Sequence, residues 1–197
     1  MKVEHNGGRP GQDGRGAAGP VGIALQAGMS RAKEIDVSLV VVREEVVKEG
    51  CAACPWYGKN LMCPPSVPPP AEFKKLLGSY SFGLLVQLFT PVDAAWGREV
   101  LEKKTFEWAR SFQVLVLRAE RRLKEAGFAR ARGYAGGRCC LCRECAGPGG
   151  KCRHPEAARP SLEASGVDVV ATCGRAGWEV VFPVREKVSW TGLILLG

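Results

Sequence analysis

Residues 98–126 read REVLEKKTFEWARSFQVLVLRAERRLKEA, and this stretch decides the fold. Its apolar residues return at three- and four-residue spacing: Val100, Leu101, Phe106, Trp108, Ala109, Phe112, Leu115, Val116, Leu123 and Ala126. That period, closed by Gly127, predicts one long amphipathic helix whose rings pack into a core. Working outward, residues 81–89 form a strand-like run stopped by Pro91, and residues 128–134 form another. Residues 178–184 and 190–196 read as closing strands. Residues 70–77 start at a proline and end at Gly78, which predicts a helix. Residues 36–49 are ambiguous: 39–42 favour a strand, and Arg43, Glu44, Glu45 and Lys48 favour a helical turn after it. Strands alternating with helices predict an α/β or α+β fold. The expected architecture is a single layered domain, a mixed sheet with helices, carrying two cysteine-rich metal loops at one rim.

Residues 1–30 are glycine-rich, with few large apolar side chains to offset the entropy of ordering, and are expected to be a disordered tail. Met29-Ser-Arg-Ala-Lys-Glu resembles an ordinary start, so the preceding stretch reads as an extension or an upstream start. Residues 31–197 are then the metal-binding domain. With 197 residues and 46% hydrophobic composition, the chain has enough apolar content for a real core. It shows no membrane-spanning run and no secretory signal, so a cytoplasmic location is expected.

Cysteine placement carries the chemistry. Of nine cysteines, eight lie in two clusters. The first reads Cys51-Ala-Ala-Cys54-Pro-Trp-Tyr-Gly and closes at Cys63-Pro-Pro. The second reads Cys139-Cys-Leu-Cys142-Arg-Glu-Cys145 and closes at Cys152-Arg-His-Pro. Thiolates two residues apart on Gly- and Pro-rich turns can converge on a soft metal centre. An odd cysteine count without export argues against a disulfide scaffold.

The triplet Cys139, Cys142 and Cys145 has the spacing by which ferredoxin-type loops wrap three corners of a [4Fe–4S] cube, and Cys152 supplies a fourth thiolate. Zinc more often takes two separated pairs. Cys51, Cys54 and Cys63 make a second metal site with three ligands. It is either completed from elsewhere, by Cys152, Cys140, Cys173 or His154, or left open for water or substrate. Cross-pairing is a further arrangement, with Cys63 completing the Cys139 triplet and Cys152 joining the Cys51 pair. A redox-active dithiol at Cys51 and Cys54 would leave Cys63 unexplained. Cys140 and Cys173 lie off the motif frame and read as buried thiols. His154 reads as a ligand, a proton donor or a loop-fixing hydrogen-bond partner. Glu163 and Asp168 read as acceptors for cluster-loop amides or arginines, or as surface and capping residues. Ser161 is placed to cap a short helix over residues 162–165.

A net charge of +8 raises a nucleic-acid reading. No nucleic-acid motif or interleaved aromatics accompany the arginines, which read instead as a solvated helix face and as counter-charges to thiolate-held metal. Phosphate-loop, zincin and serine-hydrolase patterns are absent.

The motif set Cys51-x2-Cys54-Pro-x-Tyr57-Gly58, Cys63-Pro64-Pro65, Gly137-x-Cys139-x-Leu141-Cys142-x2-Cys145, Cys152-Arg-His154-Pro155, Arg159-Pro160-Ser161-x-Glu163-Ala164 and Gly166-x-Asp168-Val169 resembles a family of small prokaryotic predicted metal-binding proteins of unknown function. The resemblance runs from about residue 35 to 197. It implies metal or cluster binding by the seven motif cysteines and no particular reaction; Cys140 departs from the pattern. The leading expectation is a cytoplasmic iron–sulfur protein with one [4Fe–4S] cluster or two, passing electrons to a redox protein partner in anaerobic metabolism. A structural zinc interaction module is the alternative. A second alternative is an enzyme that binds substrate at an open-site iron–sulfur centre.

Overall fold

Residues 19–93, 95–181, 184 and 186–197 are described by the computed structural model; the tail expected over residues 1–18 lies outside them. In chain order the elements are α1 (Pro20–Gln26), β1 (Arg31–Asp36), α2 (Pro70–Leu77), β2 (Phe82–Pro91), α3 (Arg98–Glu125), β3 (Arg132–Ala135), α4 (Val169–Arg175) and β4 (Lys187–Leu196). The four strands form one sheet in the order β1-β2-β4-β3, antiparallel throughout, with helices on both faces. This is an α+β fold in a single domain, one of the two classes expected, and its ladders are antiparallel where a mixed sheet was expected.

β2 and β4 pair over their whole length, from Phe82 opposite Leu196 to Pro91 opposite Lys187. Both are apolar at consecutive positions because both of their faces are covered. Leu84, Val86, Ile194 and Leu196 point to a core shared with Ile23 and Ala24 of α1 and Phe112, Val116, Ala119 and Leu123 of α3. Leu85, Leu193 and Leu195 point the other way, to Phe73 and Leu77 of α2, Cys173 of α4, and Leu162. The period of two puts alternate side chains on opposite faces.

The helical periodicity of residues 98–126 is realised as α3, and residues 70–77 as α2. Four expectations change. Residues 20–29 are ordered structure: Pro20 starts α1, and Ile23, Ala24, Ala27 and Met29 are buried. Arg118 and Arg122 of α3 donate to the carbonyls of Ala27 (3.3 Å) and Gln26 (3.0 Å), capping the end of α1. Residues 39–42 are no strand. Asp36 caps a 3-10 turn at Val37–Leu39, and the strand is the polar β1 before it. The helical turn foreseen after residue 42 is present, as a π-helical turn at Val46–Cys51. Of the strand read over residues 178–184, the described residues are irregular, and β3 begins at Arg132 instead of residue 128.

Glu120 joins α3 to the sheet. Its side chain is 3% exposed and accepts from Arg159 Nε (2.5 Å) and Nη2 (2.9 Å), Lys124 Nζ (2.7 Å) and the Gly133 amide of β3 (2.8 Å). Burial pushes this carboxyl up, but these donors outweigh it and hold it below the usual glutamate value. A glycine is required at 133: a Cβ there would stand 2.8 Å from Val116 Cγ1 and 2.9 Å from Glu120 Oε2.

Candidate metal centre

β3 delivers the chain into the second cysteine loop through Gly136 and Gly137, and three polar side chains set the loop's path. Gly137 has a φ of +76°, which suits glycine. Its amide donates to Glu163 Oε2 (3.0 Å), which also accepts from Ser161 Oγ (2.8 Å). Ser161 Oγ in turn accepts from the Ala164 amide at 3.2 Å, over the 3-10 turn Glu163–Ser165. Glu163 is thus an acceptor for a loop amide, as its position suggested, whereas Asp168 caps α4 at the Ala171 amide and pairs with Arg43 at 3.1 Å.

Gln113 of α3, 1% exposed, donates to the Arg138 carbonyl (3.1 Å) and accepts from the Cys140 amide (3.3 Å). Asn60, 2% exposed, belongs to the first loop; it donates to the Cys139 carbonyl (2.9 Å) and accepts from the Met62 amide (3.0 Å). These two amides bind the cysteine loops to each other and to α3. Sequence reading missed both. For Gln113 the available signal was a polar residue set among apolar positions of α3; Asn60 carried none beyond its place three residues before Cys63.

Cys139, Cys142, Cys145 and Cys152 line one narrow cavity of about 20 Å³, together with Leu61, Met62 and His154. Two of these sulfurs accept backbone amides, Cys145 from Leu61 (3.5 Å) and Cys152 from His154 (3.4 Å). His154 contributes through its backbone, and its carbonyl accepts the Ala157 and Ala158 amides. Cys51, Cys54 and Cys63 line a separate, much larger cleft of about 1060 Å³. Cys152 therefore stands with the Cys139 triplet, and Cys63 with the Cys51 pair. Cys140 is buried and lines the large cleft, while Cys173 sits on α4 beside Gln87, away from both cavities. Among the described residues, no three Cys, His, Asp or Glu side chains are grouped closely enough to grip one bare ion; the thiols surround spaces.

Electrostatics explain why such thiols call for a cation. Burial pushes the Cys63 thiol up to about 12, with Cys51, Cys54, Glu163 and Cys139 adding to the effect. Burial likewise raises Cys139 to about 11, against an opposing hydrogen bond from the Leu141 amide and with reinforcement from Cys140, Cys152 and Cys145. Cys51 is raised by burial, then by Glu163 and Cys54. As free thiols these groups are neutral at pH 7. Were a metal to bind these thiols, it would displace their protons.

The model of a family described as "Predicted metal-binding protein (DUF2284)" matches residues 33–196. No curated protein and no solved structure matches the chain. Among the described residues no helix is long and apolar enough to cross a membrane.

Proposed function

The chain belongs to this family of predicted metal-binding proteins, and from that premise we propose that it is an iron–sulfur protein that passes electrons to a redox partner in the cytoplasm of an anaerobically living cell. The observation that carries the reading is that Cys139, Cys142, Cys145 and Cys152 all line one cavity, with backbone amides donating to two of the sulfurs. These four residues would hold a [4Fe–4S] cluster. Amide-to-sulfur hydrogen bonds are among the levers that set a cluster's potential. When bound, the cluster supplies one-electron transfer at low potential. The chain's own contribution is to fix the loop, through Asn60, Gln113 and Glu163, and to place a cation beside it. Arg153 is anchored on the Glu144 carbonyl at 2.8 Å and lines the same cavity.

A cavity of about 20 Å³ holds little more than one water. A cube therefore asks the irregular loop over residues 142–152 to open. The same narrowness speaks for a second reading, a single structural zinc in an interaction module, for which the thiols would have to draw together on one ion. Electron paramagnetic resonance of the dithionite-reduced protein, prepared without oxygen, separates the two. The iron–sulfur reading expects a cluster signal that is lost or diminished in Cys142→Ser; a silent, colourless protein would overturn it.

The Cys51, Cys54 and Cys63 set supports a catalytic use beside electron transfer. The three thiols line a roomy cleft, and if drawn together on a metal they would leave a coordination position for water or substrate, as a substrate-binding metal requires.

A further inference from the structure

We propose that the cleft beside Cys51, Cys54 and Cys63 is a binding site for a small carboxylic acid with a flat apolar body, and that Arg138 receives its carboxylate. The proposal names a substrate class for the open-site reading above. The cleft, at about 1060 Å³, has the size of a small-molecule site. Trp56, Leu101, Phe106 and Trp190 contribute to its wall, and the exposed Trp56 and Leu101 mark an apolar surface that water alone would cover poorly. Rings on opposite elements, the first cysteine loop, α3 and β4, offer faces and edges to a planar ligand.

Two arginines line this cleft, and their states differ. Arg98 is neutralised by Glu102, Nε to Oε1 at 2.7 Å. Arg138 Cζ lies 3.8 Å from the centre of the Trp56 ring and 5.5 Å from that of Phe106, so its guanidinium stands within cation–π reach of both rings. Among the described residues it pairs with no carboxylate. Its backbone is fixed by Gln113 at its own carbonyl and by Glu163 at the preceding amide, so the side chain departs from a rigid point. Glu163, the nearby acid, is committed to Gly137 and Ser161. With no carboxylate partner among the described residues, this guanidinium has N–H donors to offer, and its planar fork matches a carboxylate in two parallel hydrogen bonds. The apolar remainder of the acid would then lie against the aromatic side chains of the same cleft that the three thiols line.

The test uses the full chain as purified and three probes of one shape: benzoate, benzyl alcohol and benzylamine. Binding is followed by calorimetry and by tryptophan fluorescence, since Trp56 and Trp190 line the cleft. The proposal expects benzoate to bind tightest. Arg138→Met should weaken benzoate by about tenfold or more, as losing a charge-assisted pair implies, while leaving benzyl alcohol within about twofold. Leu101→Glu, at an exposed position that folding tolerates, should weaken benzoate similarly by placing a like charge in the cleft. Arg143→Gln, on the same loop and outside the cleft, should change nothing. Equal affinity for the three probes, benzoate binding indifferent to both Arg138→Met and Leu101→Glu, or no binding of any probe would overturn the proposal. Finding the three thiols free of metal would defeat the open-site reading but leave this titration unaffected, so the two fail separately.

Discussion

Replacing Glu120 by glutamine tests how α3 is fastened to the sheet and to the segment that returns from the second cysteine loop. The carboxylate is almost wholly buried and accepts four hydrogen bonds, three from cations and one from the Gly133 amide. Glutamine keeps one acceptor oxygen, removes the charge, and presents an NH2 group to donors. Arg159, 15% exposed, is left as a largely buried cation without its partner. Breaking a buried pair in this way costs about 3–5 kcal/mol; partial retention of bonds by the amide oxygen places the expected loss near 3 kcal/mol. For a chain of this size that is a fall of about 6–12 °C in melting temperature. The pH dependence has a definite sign. The folded carboxyl sits below the usual glutamate value. Its contribution is therefore complete above the unfolded value and is lost as pH falls through the folded one. Wild type and Glu120→Gln, both freed of metal, should differ most at pH 7, and the gap should begin to close as pH falls below the unfolded glutamate value of about 4.3. Urea titrations above and below that value supply the comparison. A difference under about 0.5 kcal/mol at pH 7, typical of a surface change, or a gap that persists undiminished at low pH, would refute the reasoning.

Other substitutions probe the remaining parts. Gly133→Ala should destabilise by about 1–3 kcal/mol in thermal melts, because its methyl would crowd Val116 and Glu120. Asn60→Ala strands the Met62 amide and frees the Cys139 carbonyl, and should lower metal affinity at the second loop by about 10–100-fold in chelator competition. Cys173→Ala, at a buried thiol remote from both cavities, should leave the metal count unchanged, whereas Cys152→Ala should reduce it.

Much of the fold was legible where one physical signal dominated. The period of α3 and the proline-to-glycine frame of α2 translate directly into helices. The sequence was misleading where tertiary contacts outweigh local pattern. β1 reads RAKEID, with only Ile35 buried, so it lacks the apolar alternation of a strand; pairing with residues 82–87 of β2 makes it one, and its charges suit a sheet edge. Residues 39–42 look strand-like because Val40 and Val41 are buried, yet the 3-10 turn before them leaves only an isolated bridge from Val42 to Val167. The tail reading overran because glycine frequency hid the four apolar residues that seat α1 and its exit against the core. At the site, Cys139, Cys142, Cys145 and Cys152 line one cavity and Cys51, Cys54 and Cys63 another, in keeping with their order along the chain. The large cleft was not legible, since Trp56, Leu101, Phe106 and Trp190 come from segments that only the folded chain brings together.

The central claim is tested most directly by counting iron, acid-labile sulfide and zinc against protein purified without oxygen, in the wild type and in Cys139→Ser. The account predicts iron and sulfide in equal amounts, about four of each or about eight if both loops are filled, and a fall of about four of each in the variant. Stoichiometric zinc in a colourless protein, without iron or sulfide, would contradict it.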